Sequence, residues 1–98
     1  MKKIILFCAG GMSTSILVKN IEKSAMNHGF EVSVEAHPVS SAKVVGPAAD
    51  LVLLAPQVRF QEKNIRKALP DVNLEIIDMR TYGRMDGEKI VKDFILDL

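Results

Sequence analysis

Short apolar runs alternate with stretches of helical spacing along this chain of 98 residues. Two runs, residues 4–7 and 50–54, are nearly continuous, which is typical of parallel strands covered on both faces. Residues 31–36 alternate polar and apolar side chains and predict a strand nearer the sheet edge, which Pro38 ends. Residues 74–78 predict a fourth strand.

Between these runs the apolar residues recur at spacings of three and four, which predicts helices. The first helix is expected to begin at Ser13 and to stop before Gly29, with a short helix over residues 40–45 and a longer one over residues 58–69. A last helix is expected after Asp86, which can cap it, and its apolar stripe comprises Ile90, Val91, Phe94, Ile95 and Leu98. We therefore predict an α/β fold of one domain, residues 1–98, with a four-stranded parallel sheet and helices on both faces.

In an open parallel sheet, ligands bind outside the carboxyl ends of the strands, where the strand order switches direction. Four segments of this chain are predicted to meet at that edge, namely residues 8–15, 37–38, 55–57 and 79–86. Catalytic and binding residues are therefore expected in these segments.

Composition is that of an ordinary globular protein, with 48% hydrophobic and 26% charged residues. Thirteen Lys and Arg are scattered among twelve Asp and Glu, so the sequence has no basic stripe that would bind nucleic acid. Nucleic acid is therefore not expected as a partner. The single cysteine cannot form an intramolecular disulfide, and a small domain that folds without one is typical of a reducing compartment. These features favour the cytoplasm.

The amino terminus resembles the start of a signal peptide, because two lysines precede the apolar residues 4–9. Gly10 and Gly11 interrupt that apolar run, and no small-residue cleavage pattern follows it. No apolar stretch approaches the roughly 20 residues that span a bilayer. We therefore expect neither a leader nor direct membrane insertion.

The segment after the first strand combines a thiol with a backbone suited to anions. In order it reads Cys8, Ala9, Gly10, Gly11, Met12, Ser13, Thr14 and Ser15. Glycines let several N–H groups approach one anion, and the start of a helix adds unsatisfied donors and the positive end of its dipole. The same surroundings favour thiolate over thiol. The plain alternative is that Cys8 is a buried small hydrophobe and Ser13 only an N-cap, but strand end, paired glycines and consecutive hydroxyls together favour the functional interpretation.

Three runs, FCAGGMSTS (7–15), LLAPQV (53–58) and YGRMDG (82–87), closely resemble the IIB component of the bacterial phosphoenolpyruvate-dependent sugar phosphotransferase system, in its lactose, cellobiose and chitobiose branch. The resemblance covers essentially the whole chain and implies a flavodoxin-like or low-molecular-weight phosphatase-like open sheet. It implies that Cys8 accepts a phosphoryl group from a phosphohistidine on the IIA component. Cys8 would then transfer it to a β-linked disaccharide of the cellobiose, chitobiose or lactose type, imported through the IIC membrane component.

Carried over by position, the resemblance makes Cys8 the phosphorylation site and Ala9 to Ser15 the phosphate-binding loop. It implies a phosphotransferase that needs no cofactor or metal and works in the cytoplasm, peripheral to the inner face of the membrane through IIC. Further candidates at the same edge are Pro56, Gln57, Tyr82 and Asp86. Gln57 and Tyr82 could equally serve only to satisfy nearby backbone groups, and His37 is an incidental surface histidine or a proton carrier.

Other functional classes share this architecture. Cysteine phosphatases hold phosphate with an Arg six residues after the cysteine, but Thr14 stands at that position here, which favours a carrier that releases its cargo. A flavin-binding module would need aromatic side chains for stacking, and a thioredoxin-like role would need a second cysteine. The basic residues of the third helix either steer an acidic partner or form a solvated face: Arg59, Lys63, Arg66 and Lys67.

Overall fold

One parallel sheet organises the part of the chain that the structure, a computed structural model, describes, residues 1–9 and 13–98. β1 (Lys2–Cys8) lies between β2 (Val32–Pro38) and β3 (Leu51–Leu54), and β4 (Asn73–Ile76) pairs with β3. All three pairings are parallel, which confirms the predicted four-stranded sheet. In the order β2-β1-β3-β4, the chain adds strands first on one side of β1 and then on the other, so the strand order reverses beside β1. Ligands are expected to bind at the carboxyl end of that strand.

Burial along the strands follows their place in the sheet. Ile4 to Cys8 and all four residues of β3 are buried, as predicted for central strands. In β2, Val32 and Val34 are buried while Ser33 and Glu35 are partly exposed, as predicted for an edge strand. The other edge strand, β4, buries only Leu74.

Helical segments cover both faces of the sheet. They are α1 (Ser13–Asn27), α2 (Ala42–Val45), α3 (Glu62–Ala68), α4 (Met79–Gly83) and α5 (Gly87–Ile90), with 3₁₀ turns at Val39–Ser41, Gly46–Ala48 and Pro56–Gln61 and a π-helical turn at Val91–Ile95. One core cluster packs α1 and the carboxyl-terminal helical residues on the sheet. A second cluster packs α2 and α3 on the opposite face and includes Cys8. Ile4 and Leu6 of β1 enter the first cluster and Ile5 and Phe7 the second, as the pleat of a strand requires.

The first helix matches its predicted limits, and the last begins where predicted but becomes a π-helical turn after Ile90. α1 begins at Ser13, and Gly29 follows it with φ of +83°, the left-handed conformation that closes helices with glycine. The Asp86 carboxylate accepts a hydrogen bond from the Lys89 backbone N–H at 3.1 Å and caps α5, as expected. The predicted apolar stripe is confirmed, because Ile90, Val91 and Ile95 are fully or almost fully buried.

The largest differences from the prediction lie in α3 and in the segment around the end of β4. The helix expected over residues 58–69 begins as a 3₁₀ turn at Pro56, and α3 starts only at Glu62 because Val58 leaves the helical region at φ −115°. β4 ends at Ile76, two residues early. Asp78, predicted to end that strand, instead caps α4, a short helix that the alternation of apolar residues did not indicate.

Candidate functional site

Cys8 is the last residue of β1, at the carboxyl end of a central strand. It pairs in register with Pro38 of β2, and the Ala55 N–H donates to the carbonyl of neighbouring Phe7 at 2.9 Å. Its side chain is 6% exposed and packs at the border of the second core cluster. The structure thus places the thiol where a central strand ends, five residues before the start of α1.

The rest of the predicted phosphate-binding loop is described only in part. Gly10, Gly11 and Met12 lie outside the described residues, and so does the side chain of Ser13. Ala9 and Ser15 are exposed, while Thr14 is 3% exposed. The described ends of the loop therefore flank the carboxyl end of β1 as the sequence predicted.

Tyr82 contacts the first turn of α1. Its phenol oxygen lies 3.2 Å from Oγ1 of Thr14, and either hydroxyl can be the donor. The ring is half-buried and packs against both core clusters. The structure therefore brings together two predicted site residues that are 68 positions apart in the chain.

The short helix α4 presents Tyr82, and its first turn is fixed by Asp78. The Asp78 carboxylate accepts hydrogen bonds from the Thr81 hydroxyl and, at 3.2 Å, from the Thr81 backbone N–H. These bonds, the hydroxyl first, hold the pKa of Asp78 below its usual range. These bonds fix the start of α4, which follows β4 and carries Tyr82 to α1.

Pro56 and Gln57 follow β3, the strand beside β1, and so reach the same edge of the sheet. Pro56 is buried and opens the 3₁₀ turn, whereas Gln57 is exposed. Exposure leaves the Gln57 amide available to a ligand or partner at this edge. Pro56 serves the fold by shaping the turn.

Asp86 is not brought to this edge. It lies farther along α1, in a shallow groove lined by Asn20 and Lys23 of that helix, where it caps α5. Next to it, Met85 has φ of +51°, and its carbonyl accepts a hydrogen bond from the Asn20 side chain at 2.9 Å. The contacts of Asp86 account for it as a helix cap.

His37 and the basic helix also find partners. His37 Nε2 lies 2.9 Å from Glu35 Oε1, and this hydrogen bond is the largest cause that lowers the pKa of Glu35. Arg66 Nε pairs with Glu62 at 2.9 Å, so its charge has a partner within α3. Arg59, in the preceding 3₁₀ turn, is exposed. Of the predicted steering residues, Arg59 stands nearest in sequence to the carboxyl end of β3.

Sequence reasoning missed the contacts that bind α1 to the segment after β4. Ser24 donates a hydrogen bond to Glu88 Oε1, and His28 Nε2 lies 2.9 Å from Glu88 Oε2. These bonds lower the pKa of Glu88 to about 2, with the Ser24 hydroxyl the largest cause. His28, which follows the end of α1, thus also anchors α5 through Glu88.

Within residues 1–9 and 13–98, no group of three His, Cys, Asp or Glu side chains is arranged to hold a metal ion. No helix in that part of the chain has both the length and the apolar character needed to cross a membrane.

The sequence is similar to a known protein family over nearly its full length. Residues 3–93 match the family described as "PTS system, Lactose/Cellobiose specific IIB subunit". The oligo-beta-mannoside-specific EIIB component of Bacillus subtilis is 41% identical, over 91% of this chain and 88% of that protein.

Solved structures are similar as well. The cellobiose-specific phosphotransferase IIB component of Borrelia burgdorferi superposes with a TM-score of 0.75 at 39% identity, covering 93% of this chain and 85% of that one. The lactose-specific IIB domain from Streptococcus pneumoniae superposes with a TM-score of 0.83, covering 98% and 95%, and at 20% identity shows the shared fold. The predicted architecture is confirmed by both.

Proposed function

This chain belongs to the family of lactose/cellobiose-specific IIB subunits of the sugar phosphotransferase system, and we propose that Cys8 carries the phosphoryl group that it transfers. Members of this family are phosphotransferases. The observation that carries the proposal is the position of the one cysteine, at the end of central strand β1 and just before the 15-residue helix α1.

Two displacements at phosphorus make up the proposed cycle. The Cys8 thiolate attacks the phosphorus of a phosphohistidine on the IIA component, so that an S–P bond forms, the N–P bond breaks and the departing imidazole takes up a proton. A sugar hydroxyl then attacks the same phosphorus, the S–P bond breaks, and the hydroxyl proton passes to solvent as the thiolate returns. Because each step exchanges one bond to phosphorus for another, no redox partner is required.

The backbone after Cys8 would hold the phosphoryl dianion during both steps. The first N–H groups of a helix lack intrahelical acceptors, and their dipoles favour an anion. Residues Ala9 to Ser15 supply this cradle in the proposal. Since Thr14 replaces the guanidinium that phosphatases use, the dianion is held less tightly and can move on to the sugar.

The acceptor proposed is a β-linked disaccharide delivered by the IIC membrane component on the cytoplasmic side. The relatives' names support this class, since they specify oligo-β-mannosides, cellobiose and lactose. Because those names differ, the particular sugar is proposed to be selected by IIC and not by the loops of this chain.

Intact-mass measurement tests the proposal. After incubation with phosphoenolpyruvate and the upstream carriers, the wild-type chain is expected to gain one phosphoryl group, located on Cys8 by fragmentation. Cys8→Ser should gain none, because a serine hydroxyl is not ionised near neutral pH. A phosphoryl group on another residue, or steady hydrolysis of p-nitrophenyl phosphate by the wild type, would refute the carrier assignment.

A further inference from the structure

The segment after β4 lies along α1 and is bonded to it at successive positions. Tyr82 meets Thr14 in the first turn, the Met85 carbonyl meets Asn20 farther along, and Glu88 meets Ser24 beyond that. We call residues 78–88 the strap. Its first contact is the one that reaches the end of α1 where the phosphoryl group is proposed to bind.

Tyr82 is built into this position from several sides. Its ring packs against residues of both core clusters, of which one contains Cys8. The hydroxyl it contacts belongs to Thr14, the second residue of α1, which is only 3% exposed, so water cannot readily replace the phenol. Removal of the phenol oxygen would leave the buried Thr14 hydroxyl without this partner, which is costly in a protein interior.

We propose that Tyr82 is a positioning residue for phosphoryl transfer, whose hydrogen bond to Thr14 fixes the first turn of α1 so that its backbone N–H groups face the phosphoryl group on Cys8. This inference rests on the proposed function of Cys8. Backbone N–H donors stabilise the transition state only when they point at the charge that develops on the phosphoryl group, so a small displacement of these donors weakens that stabilisation.

The test compares Tyr82→Phe and Thr14→Val, alone and combined, in single-turnover transfer from the phosphorylated IIA protein. Each single variant should lower the saturating rate about fivefold, the effect of one lost neutral hydrogen bond, and leave the half-saturating donor concentration unchanged. The double variant should lose no more than either single one, because both remove the same bond. Thr14→Ser, which keeps the hydroxyl, should restore most of the rate.

Ser24→Ala is the matched control, because it breaks a strap bond to α1 away from Cys8. It should lower the unfolding temperature yet transfer at the wild-type rate. The ³¹P resonance of the phosphocysteine should shift in Tyr82→Phe and Thr14→Val but not in this control.

Each other result decides against the inference. Wild-type rates and resonance positions in Tyr82→Phe and Thr14→Val would overturn this inference and leave the proposed function of Cys8 intact. An equal rate loss in Ser24→Ala would also overturn it, because the hydrogen bond between Tyr82 and Thr14 would then have only a structural role. If the wild-type chain accepts no phosphoryl group on Cys8, the proposed function fails first and this inference with it.

Discussion

At the scale of single residues, Cys8 stands between core and surface. With an exposure of 6%, Cys8 lies mostly among apolar neighbours, and as the last residue of β1 it stands at the carboxyl edge of the sheet. A group held so closely changes position little, which suits a nucleophile that must meet phosphorus in line. In the proposed cycle, donor and acceptor must use Cys8 in turn, because both displacements involve the same sulfur.

Gly87 is a residue whose role the structure makes testable. A Cβ placed there would lie 2.5 Å from the backbone carbonyl atoms of Asn20 and 2.7 Å from the Ile21 nitrogen, so the strap and α1 could touch only without a side chain. Gly87→Ala should therefore destabilise the fold by about 1–3 kcal/mol, measured by urea unfolding. Gly83→Ala is the control, since nothing lies within 4 Å of its Cβ position. Its effect should stay within about 1 kcal/mol, and equal losses in both variants would contradict the packing argument.

At the scale of elements, the strap and α1 form one unit joined by Glu88. Its carboxylate bonds to Ser24 of α1 and to His28 just after that helix, and it pairs with Lys92 at 3.4 Å. These partners act on the ionised form, so the charge of Glu88 and the docking of α5 on α1 are linked. The end of the chain is thereby tied to the helix that leads from Cys8.

This link predicts a pH dependence. The Glu88 pKa falls from 4.5 to about 2 on folding, so its contribution to stability is complete above about pH 4.5 and is lost as the pH falls toward 2. Glu88→Gln should lower the unfolding free energy near neutral pH, and its difference from wild type should shrink as the solution is acidified. Chemical unfolding at a series of pH values measures this. Ser24→Ala should weaken the same dependence, because its hydroxyl is the largest cause, and a difference constant from pH 5 to pH 2 would refute the link.

How far the sequence predicted these elements depends on how local their causes are. β1, β3 and α1 were predicted well, because continuous apolar runs and three-to-four spacing are properties of neighbouring residues. The strap was missed because its partners lie about 60 residues away on α1, and α4 depends on one cap at Asp78. Within the site, Cys8 ends a central strand and Tyr82 contacts Thr14, and their roles in phosphoryl transfer stay predictions. Asp86 was expected at the active edge and instead caps α5 beside Asn20 of α1.

At the scale of the whole molecule, the carboxyl edge has the features of a docking surface. The elements that follow β1, β3 and β4 each expose one large apolar side chain there: Ile16 is 51% exposed, Phe60 73% and Met79 66%. Arg59 adds an exposed positive charge beside Phe60. Any protein that delivers a phosphoryl group to Cys8 is expected to approach this edge, because Cys8 is the last residue of β1.

Phe60→Ala therefore tests how the donor binds. Loss of an exposed aromatic contact should raise the half-saturating concentration of phosphorylated IIA several-fold, while the saturating transfer rate stays that of wild type, because Cys8 and α1 are unchanged. Met26→Ala is the matched control: Met26 is 64% exposed but lies near the other end of α1, at the amino edge of the sheet. It should alter neither quantity. An unchanged half-saturating donor concentration for Phe60→Ala, or an equal rise for Met26→Ala, would contradict the assignment of this edge as the surface on which the donor docks.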